Sequence, residues 1–337
     1  MGMEQMLRPL TPAYSAAVRA RAAAYRRGLL RTVRLPRPVI SVGNLTFGGT
    51  GKTPTVVALV RDLARRGRRP AVLTRGYGRK AKEPVLLAGP DALAPVERAG
   101  DEPLEMARRL PGVPIAVDAD RVRGGRTAIG AGADVLVLDD GFQHLRVERD
   151  LDLLLVDAGD PFGGHALPPR GRLREPLSAM ARASAVLVTK LGPKTAELSS
   201  IAHVVQLYAP DVPVLGARLE PVRVLTPDGP EPPAILEGRT VMAFAGVGRP
   251  EAFEELLREL GAEVAAARWF PDHHHHTARD LRRIRRLARR HGAVPVTTAK
   301  DAVKLPADHG VWVVEVEMVP VDGSWDPLWE LVPGIVP

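Results

Sequence analysis

The segment SVGNLTFGGTGKTP, residues 41–54, decides which fold this sequence is expected to adopt. A short β-rich run, Val39–Val42, leads into a glycine-rich turn, and Gly51-Lys52-Thr53 then opens a stretch with helical periodicity. Glycines let backbone N–H groups converge on phosphate oxygens, and the amino end of the following helix adds partial positive charge. The pattern predicts a nucleotide-binding P-loop made of Thr46, Phe47, Gly48, Gly49, Thr50, Gly51, Lys52 and Thr53.

Two side chains of this loop have an expected task at a bound triphosphate. Lys52 would reach the β- and γ-phosphates, and the hydroxyl of Thr53 would bind Mg²⁺. Thr46 stands where the standard motif has its first glycine, which is a departure from the pattern. A glycine-rich turn without function is the alternative, but the strand-loop-helix context favours a phosphate loop.

A second buried run, Val135–Leu138, leads directly into Asp139 and Asp140. Carboxylates at the carboxyl end of a parallel strand face the crevice where ligands bind. Because Mg²⁺ prefers hard oxygen ligands, we predict a metal site formed by Thr53, Asp139 and Asp140. Asp-Asp-Gly is also a common turn, which is the structural alternative.

The fold class follows from the alternation of β-rich and helical stretches. Helical periodicity fills residues 53–66 and 103–110, between the candidate strands Val39–Val42, Ala71–Leu73, Val135–Leu138, Leu153–Val156 and Ala185–Val188. This alternation is typical of an α/β/α fold with a doubly wound, mostly parallel sheet.

The Pro- and Gly-rich segment 209–239 indicates a linker that carries one extended strand at most. A second, smaller α/β unit is predicted after it. Its strands are expected at Val241–Ala245, near 263–267 and at Val294–Thr298, and its helices over 250–260 and 277–290.

Composition bounds the class of protein. The 337 residues carry a net charge of +8 and no cysteine, which excludes disulfides, thiolate zinc sites and cysteine nucleophiles. No apolar run is long enough to span a membrane and no secretory signal opens the chain, so we expect a cytoplasmic protein. The basic excess fits nucleic acid, an anionic membrane face or phosphorylated substrates.

The basic excess is concentrated near the N-terminus, where ten basic residues and no acid lie between Glu4 and Asp62. A helix is predicted over residues 11–33, with Arg21 interrupting its apolar face. That face holds Tyr14, Ala17, Val18, Ala22, Tyr25 and Leu29. Two interpretations stay open: a helix packed on the domain, or an interfacial helix that turns its arginines toward anionic lipid headgroups.

Taken together, the motifs VGNLTFGGTGKTP and LDDGFQH closely resemble those of the lipid A tetraacyldisaccharide 4′-kinases. Further matching segments run in the same order to about residue 305: Thr74-Arg-Gly-Tyr-Gly-Arg79, Gly100-Asp-Glu-Pro103, Arg174-Glu-Pro176 and Pro271-Asp-His-His274. The resemblance implies an ATP- and Mg²⁺-dependent kinase that phosphorylates the 4′-hydroxyl of a lipid A disaccharide precursor to give lipid IVA. It also implies peripheral attachment to an anionic membrane surface, the cytoplasmic face of the bacterial inner membrane, without nucleic acid or an obligate protein partner.

The resemblance also implies two α/β/α domains joined by a β-ribbon linker, with the active site between them. On this sequence the expected division is a basic N-terminal helix at 1–34, a P-loop kinase domain at 35–222, a linker at 223–239, a smaller α/β domain at 240–310 and a C-terminal return segment at 311–337. One departure from the family is Ala299, because the family pattern usually has Glu in the segment Thr298–Asp301.

Phosphoryl transfer to a sugar hydroxyl needs a group that accepts the hydroxyl proton. The resemblance implies Asp101 as this base and His273 as its orienting partner, beside Lys52. From the residues alone, Asp101 is better explained as the N-cap of the helix that follows it, and the resemblance is what favours the catalytic role. The run His273–His276 could also bind a metal or form a solvated polar loop.

Several further residues are expected to contact the substrate or to support residues that do. Arg174 suits a substrate phosphate because its guanidinium binds phosphate through two hydrogen bonds, and a solvent-exposed basic loop is the alternative. The others are Arg75, Tyr77, Gln143, His144, Glu175 and Asp272.

Two other classes of protein compete with a kinase. A GTP-dependent metallochaperone would need a guanine-specific Asn/Thr-Lys-x-Asp motif, but Thr189-Lys190-Leu191-Gly192 lacks the Asp, and Thr298–Asp301 lies in the wrong domain. A nucleic-acid-binding ATPase is suggested by the charge alone, because no recognisable module or stacking aromatics accompany the basic runs.

Overall fold

The computed structural model describes residues 10–79, 82–88, 96–193, 195–272, 274–306 and 309–335. Two α/β halves are visible, which we call the larger half (residues 35–213) and the smaller half (residues 229–306). The chain returns to the larger half at its C-terminal end.

Strands and helices alternate through the larger half. In chain order, with the N-terminal helix first, they are α1 (Leu10–Arg26), β1 (Val39–Asn44), α2 (Lys52–Arg65), β2 (Pro70–Thr74), β3 (Val85–Leu87), α3 (Val96–Ala99), α4 (Asp101–Arg109), β4 (Ile115–Val117), α5 (Arg121–Gly130), β5 (Val135–Asp139), β6 (Leu151–Asp157), β7 (Ala185–Thr189) and α6 (Leu198–Tyr208).

The remaining elements form the link between the halves, the smaller half and the return. They are β8 (Val214–Thr226), β9 (Gly229–Glu231), β10 (Thr240–Ala245), α7 (Pro250–Glu259), β11 (Glu263–Trp269), α8 (Ala278–Arg290), β12 (Val294–Thr298), α9 (Ala299–Ala302), β13 (Trp312–Pro320) and α10 (Asp326–Trp329). All the strands predicted from the sequence are present, most of them one to three residues longer than predicted.

One continuous sheet runs through both halves of the described chain, in the order β11-β10-β12-β13-β8-β7-β6-β1-β5-β2-β4-β3, with β9 paired to β8. The pairings are parallel except for β3 with β4, β8 with β9 and β8 with β13. The prediction of a doubly wound, mostly parallel sheet with a smaller α/β unit is therefore confirmed.

Helices cover both faces of the sheet in the larger half. Side chains alternate along a strand, so Val39 and Ile40 of β1 point to opposite faces. Ile40 belongs to a buried cluster with Leu59 of α2, and Val39 belongs to a second cluster with Val122 of α5. Because both faces are buried, these strands are almost continuously apolar.

The segment between the halves is more regular than the sequence indicated. The proline-rich stretch contains β8, the longest strand of the described chain at 13 residues. Its start pairs in parallel with β7, and the rest pairs antiparallel with β13, so β8 belongs to the sheets of both halves. The antiparallel pair β8–β13, which we call the ribbon, carries a register shift between Glu315 and Val316.

The N-terminal helix is shorter than predicted, because it ends at Arg26 instead of residue 33. Gly28 adopts a left-handed conformation with φ of 70° and ends the helix, as glycine commonly does. Leu29, which was assigned to the apolar face, lies beyond the helix and is 74% exposed. Within the described chain, none of the helices has the length and apolar character that crossing a membrane requires.

Candidate active site

The predicted phosphate loop lies between β1 and α2, at the carboxyl end of the sheet. Gly48 and Gly51 have φ of 117° and 80°, values that glycine adopts without strain. The loop is fixed from inside by Asn44, whose side-chain amide donates to the carbonyl of Thr46 at 2.7 Å. Because α2 starts at Lys52, its amino end points toward this loop.

Lys52 lies between the loop and the acidic residues predicted to bind a metal. Its Nζ donates to Oδ1 of Asn44 at 3.2 Å and is 3.6 Å from Oδ1 of Asp140. The side chain is only 15% exposed, so these two oxygens hold the ammonium group in place. Asn44 is a site residue that the sequence interpretation missed, although it stands inside the quoted motif.

Two strands beside β1 support the outer part of the loop. Thr189, at the end of β7, donates its hydroxyl hydrogen to the carbonyl of Thr50 at 2.9 Å. The next residue, Lys190, donates to the carbonyl of Gly49 and to Asp157 at the end of β6. Arg249 of the smaller half reaches the same Asp157 carboxylate at 3.2 Å, so both halves contact this corner.

Asp139 ends β5 and is buried against the end of β2. The hydroxyl of Thr74 donates to its Oδ2 at 2.9 Å. Burial raises the pKa of Asp139 to about 7, and the neighbouring carboxylates of Glu102 and Asp140 act in the same direction. A carboxylate with this environment is energetically favoured to take up a positive charge, either a proton or a cation.

Asp140 has the opposite electrostatic environment. Burial alone would raise its pKa, but Lys52 and Arg174 outweigh burial and lower it. Arg174 donates from Nη1 to both carboxylate oxygens of Asp140, at 2.8 and 3.0 Å, and its guanidinium lies over the ring of Phe47. The structure thus places Arg174 against the phosphate loop and the acidic pair.

The oxygens at this edge fit a magnesium ion. Asp139, Asp140 and Thr53 offer hard oxygen atoms, and burial beside Glu102 and Asp140 raises the pKa of Asp139, so a cation bound there would stabilise its ionised form. Within the described residues there is no cluster of three or more His, Cys, Asp or Glu side chains arranged around a common point. Mg²⁺ commonly takes only one or two protein carboxylates and fills its other positions with water and phosphate, so the residues present suit it.

Gln143 and His144 follow the acidic pair and have structural contacts. The side-chain amide of Gln143 donates to the carbonyl of Asn44 at 3.0 Å, which ties this turn to the start of the phosphate loop. Nε2 of His144 is buried without a hydrogen-bond partner. Burial, together with the nearby Arg121 and Arg149, lowers the pKa of His144 to about 4.

Glu175 supports the loop that carries Arg174. Its carboxylate accepts two hydrogen bonds from Arg182, at 2.8 and 3.0 Å, and the guanidinium of Arg182 lies over the ring of Phe142. Because Glu175 is 5% exposed, its contacts are internal.

Asp101 is the first residue of α4 and precedes Glu102, which approaches the acidic pair. It is 6% exposed, and its Oδ1 accepts from the N–H of Glu102 at 3.1 Å. The N-cap of α4 is Gly100, so the alternative prediction of Asp101 as the N-cap is wrong, because the helix starts one residue earlier than that role requires. Glu102 is close enough to Asp139 to raise the pKa of that residue. Lys304 of the smaller half approaches Oδ2 of Asp101 to 3.8 Å.

The other predicted side chains line the rim. Arg75 and Tyr77 are exposed, Tyr77 by 70%. The buried Arg121 is a further basic residue near Arg75 and Asp139. Asp272 accepts from Lys300 at 2.6 Å. Arg121 and Lys300 were not predicted, because single charged residues give no motif.

His273 lies outside the described residues, so its predicted role stays a prediction. The described histidines after it have different partners: His274 contacts Asp280 at 3.2 Å, and His276 contacts Asp301 at 3.0 Å. His275 is exposed.

A cavity of about 740 Å³ lies between α1 and the loop that carries Arg174. The hydroxyl of Tyr14 donates to the carbonyl of Arg174 at 2.9 Å, and Arg21 donates to the carbonyl of Gln143 at 3.0 Å. The helix therefore touches the site directly. The cavity lining is both basic and apolar, with Arg19, Arg170, Leu167, Leu173, Leu177 and Tyr208.

Segments that could have signalled guanine recognition have structural roles instead. Lys190 is occupied by the phosphate loop and Asp157, as described above. Thr298 caps α9 by accepting from the N–H of Asp301 at 3.2 Å, and the Asp301 side chain is buried. Ala299, where the family usually has Glu, lines a cavity of about 560 Å³ together with Arg108 and Arg109.

A glycine loop between a central strand and a helix, with Lys52 beside two strand-end aspartates, defines a P-loop protein of the kinase type. Comparison with known proteins narrows this class. The sequence model of the tetraacyldisaccharide-1-P 4′-kinases matches residues 3–331, and the chain belongs to that family.

Individual relatives agree with this assignment. The chain is 46% identical over 301 residues to the tetraacyldisaccharide 4′-kinase of Anaeromyxobacter dehalogenans strain 2CP-C, covering 87% of this chain and 79% of that protein. It is 44% identical over 296 residues to the same-named protein of Syntrophus aciditrophicus strain SB, covering 83% and 79%. A crystal structure of LpxK from Aquifex aeolicus in complex with ATP matches with a TM-score of 0.80 and 32% identity over 100% of both chains.

Proposed function

We propose that this protein transfers the γ-phosphoryl group of ATP to the 4′-hydroxyl of a tetraacyldisaccharide 1-phosphate, giving lipid IVA in lipid A biosynthesis. The observation that carries the proposal is the contact of Lys52 with Asn44 and Asp140 at the end of β1. It fits the family match over nearly the whole chain and the ATP complex of the structural neighbour.

Charge neutralisation is the first requirement of phosphoryl transfer, and the phosphate loop meets it. Backbone N–H groups of residues 46–53 and the amino end of α2 would bind the phosphate oxygens. Lys52, which is already held by two oxygens, needs little reorganisation to reach the β- and γ-phosphates. Arg174 adds a second positive group on the same side of the loop.

Thr53, Asp139 and Asp140 would hold Mg²⁺. When bound, the ion supplies charge neutralisation between the β- and γ-phosphates and orients them. The buried carboxylate of Asp139 would then be stabilised in its ionised form, which reverses the raised pKa of that residue.

The second requirement is a base for the sugar hydroxyl, and we propose Asp101. Its position at the amino end of α4, next to Glu102, which approaches Asp139, would allow the carboxylate to accept the hydroxyl proton as the oxygen attacks the γ-phosphorus. We retain His273 as the proposed orienting partner.

The lipid would reach the site from the side of α1. The cavity between α1 and the loop of Arg174 combines apolar side chains with Arg19 and Arg170, which suits acyl chains next to a phosphate. Arg19, Arg26 and Arg27 of the α1 region are exposed. We infer that this helix attaches the protein peripherally to the anionic cytoplasmic face of the bacterial inner membrane.

A transfer assay tests the proposal. The purified protein is incubated with Mg²⁺, the disaccharide 1-phosphate lipid and either ATP or GTP labelled at the γ-phosphate. We expect a labelled lipid from ATP whose second phosphate NMR assigns to the 4′ oxygen, and none from the Lys52→Ala variant. Absence of labelled lipid with the wild type would refute the proposal. A preference for GTP would favour the alternative of a GTP-dependent metallochaperone.

A further inference from the structure

Asp301, in the smaller half, is held by an unusually complete set of hydrogen bonds. Its side chain is 0% exposed. Oδ2 accepts from the N–H of Gly246 at 2.9 Å and from the hydroxyl of Thr298 at 3.0 Å, and Oδ1 lies 3.0 Å from Nε2 of His276. The carboxylate is therefore fixed by three segments of the smaller half: the end of β10, the end of β12 and the loop before α8 that carries His276.

These contacts keep Asp301 ionised. Burial acts to raise its pKa, but the hydrogen bond from His276, the charge of Lys304 and the N–H of Gly246 outweigh it and lower the pKa to about 2. Because an ionised carboxylate can only accept hydrogen bonds, Nε2 of His276 carries the hydrogen in this contact. His276 is itself packed edge-on against Phe244 and Phe270.

Lys304 connects this buried carboxylate to the proposed base. Its Nζ donates to Oδ1 of Asp301 at 3.2 Å and lies 3.8 Å from Oδ2 of Asp101. The lysine side chain is 1% exposed. A buried ammonium group needs partners, and Asp301 and Asp101 are the ones seen in the described part of the chain.

The two oxygens of Asp101 thus face different parts of the protein. Oδ1 accepts from its own helix terminus in the larger half, and Oδ2 faces Lys304 from the smaller half. Contacts close by hold α4 against the smaller half and the ribbon: Arg108 donates to the carbonyl of Ala302 at 3.1 Å, and Arg109 donates to the carbonyl of Val316 at 2.6 Å.

We propose that Lys304, held in place by Asp301, is a positioning residue for the phosphoryl transfer, because it fixes the orientation of the Asp101 carboxylate. The inference rests on the proposed function and deepens it. It also gives the smaller half a task in catalysis, since that half supplies the counter-ion of a base that belongs to the larger half.

The physical reason is the cost of a buried charge. Asp101 is nearly buried, and two further carboxylates, Glu102 and Glu105, lie on the same helix within reach of it. Without a positive partner, the Asp101 carboxylate would be costly to hold in this orientation and would be poorly placed to accept the substrate proton. Lys300 provides a second positive charge nearby, so removal of Lys304 is expected to weaken the base without abolishing it.

The test compares steady-state kinetics of the wild type with Lys304→Met, which keeps the length of the side chain and removes its charge. We expect kcat for lipid phosphorylation to fall about 10- to 100-fold, while ATP affinity changes by less than about twofold. A kcat within about twofold of wild type would overturn the proposal. The wild type is measured first, so a chain that phosphorylates no lipid refutes the proposed function and not this inference.

Asp301→Asn provides a second test, which remains informative if Lys304→Met folds poorly. It should lower kcat with the same unchanged ATP affinity, and the double variant should lose no more than Lys304→Met alone, because both act through one contact. Losses that multiply in the double variant would show independent effects and contradict the proposal.

Glu315→Gln serves as the matched control for stability. This residue is buried on the ribbon, and its carboxylate is paired with Arg223 at 2.7 Å. We expect it to lower the melting temperature while kcat stays within about twofold of wild type. If Glu315→Gln reduces kcat as much as Lys304→Met at a similar loss of stability, the effect of Lys304 is merely structural and the proposal fails.

Discussion

At the scale of single residues, Gly43 shows how closely the site is packed. It lies next to the last residue of β1, and a Cβ atom added there would be 2.5 Å from the backbone nitrogen of Phe142. The turn after Asp139 and Asp140 therefore lies directly against the strand that carries the phosphate loop. This contact needs a residue without a side chain, whatever ligand is bound.

We expect Gly43→Ala to destabilise the protein by about 1–3 kcal/mol, because backbone must move to admit the methyl group. Gly130→Ala, at the end of α5, is the control, since a Cβ there meets no atom within 4 Å. It should leave stability unchanged or raise it by up to about 1 kcal/mol. Denaturant unfolding of both variants checks the prediction, and equal stabilities would contradict it.

His144 makes the folded protein sensitive to acid. The folded state lowers the pKa of His144 to about 4, so below its ordinary pKa near 6.5 the unfolded chain binds a proton that the folded chain refuses. The free energy of unfolding should therefore decrease as the pH falls from about 6.5 to 4, by up to about 3 kcal/mol from this residue.

Urea unfolding of the wild type and of His144→Asn between pH 7.5 and 4.5, a window of about three pH units, measures this contribution. The variant should lose less stability than the wild type over the same range. Identical pH slopes would show that His144 does not carry the effect.

At the scale of secondary-structure elements, the sequence predicts an element well where all its residues favour the same structure. It predicts an element poorly where some residues disfavour a structure that the rest of the fold stabilises. The glycine loop after β1 and the aspartates after β5 were predicted because both follow buried apolar strands. The strand β8 was underestimated because prolines such as Pro221 argue against a strand. Pro221 is tolerated next to the register shift of the ribbon, where the regular hydrogen-bond ladder is interrupted.

The two interpretations of α1 can be separated by where charge is removed. The helix contacts the site through Tyr14 and Arg21, yet no residue from 14 to 26 is buried, so it both packs on the protein and exposes its arginines. We expect the triple change Arg19→Gln, Arg26→Gln and Arg27→Gln to weaken binding to anionic vesicles on the order of 100-fold, at about 1 kcal/mol for each arginine.

The control removes the same charge from α8 of the smaller half, by Arg282→Gln, Arg286→Gln and Arg289→Gln, all exposed positions. Sedimentation with vesicles that contain phosphatidylglycerol measures both triple variants. Equal losses would mean that net charge alone governs binding, and no loss from the α1 variant would eliminate the interfacial helix.

At the scale of the whole molecule, one sheet joins the two halves, and the site lies where their strand ends meet. Sequence patterns report neighbours along the chain, so they predicted Lys52 and Asp139 separately, and the family resemblance predicted Asp101. They gave no sign that Lys304 would lie 3.8 Å from Asp101, or that Arg249 would contact Asp157. Such pairs depend on how the ribbon orients the smaller half, which is a property of the folded chain.

The central claim is that Asp101 accepts the proton of a lipid hydroxyl while the phosphate loop holds ATP. It is tested most directly by comparing wild type with Asp101→Asn in single-turnover transfer from ATP to the disaccharide lipid, with ATP affinity measured on the same preparations. We predict that ATP affinity changes little and that the transfer rate falls roughly 100-fold or more. Transfer by Asp101→Asn at the wild-type rate would contradict the account.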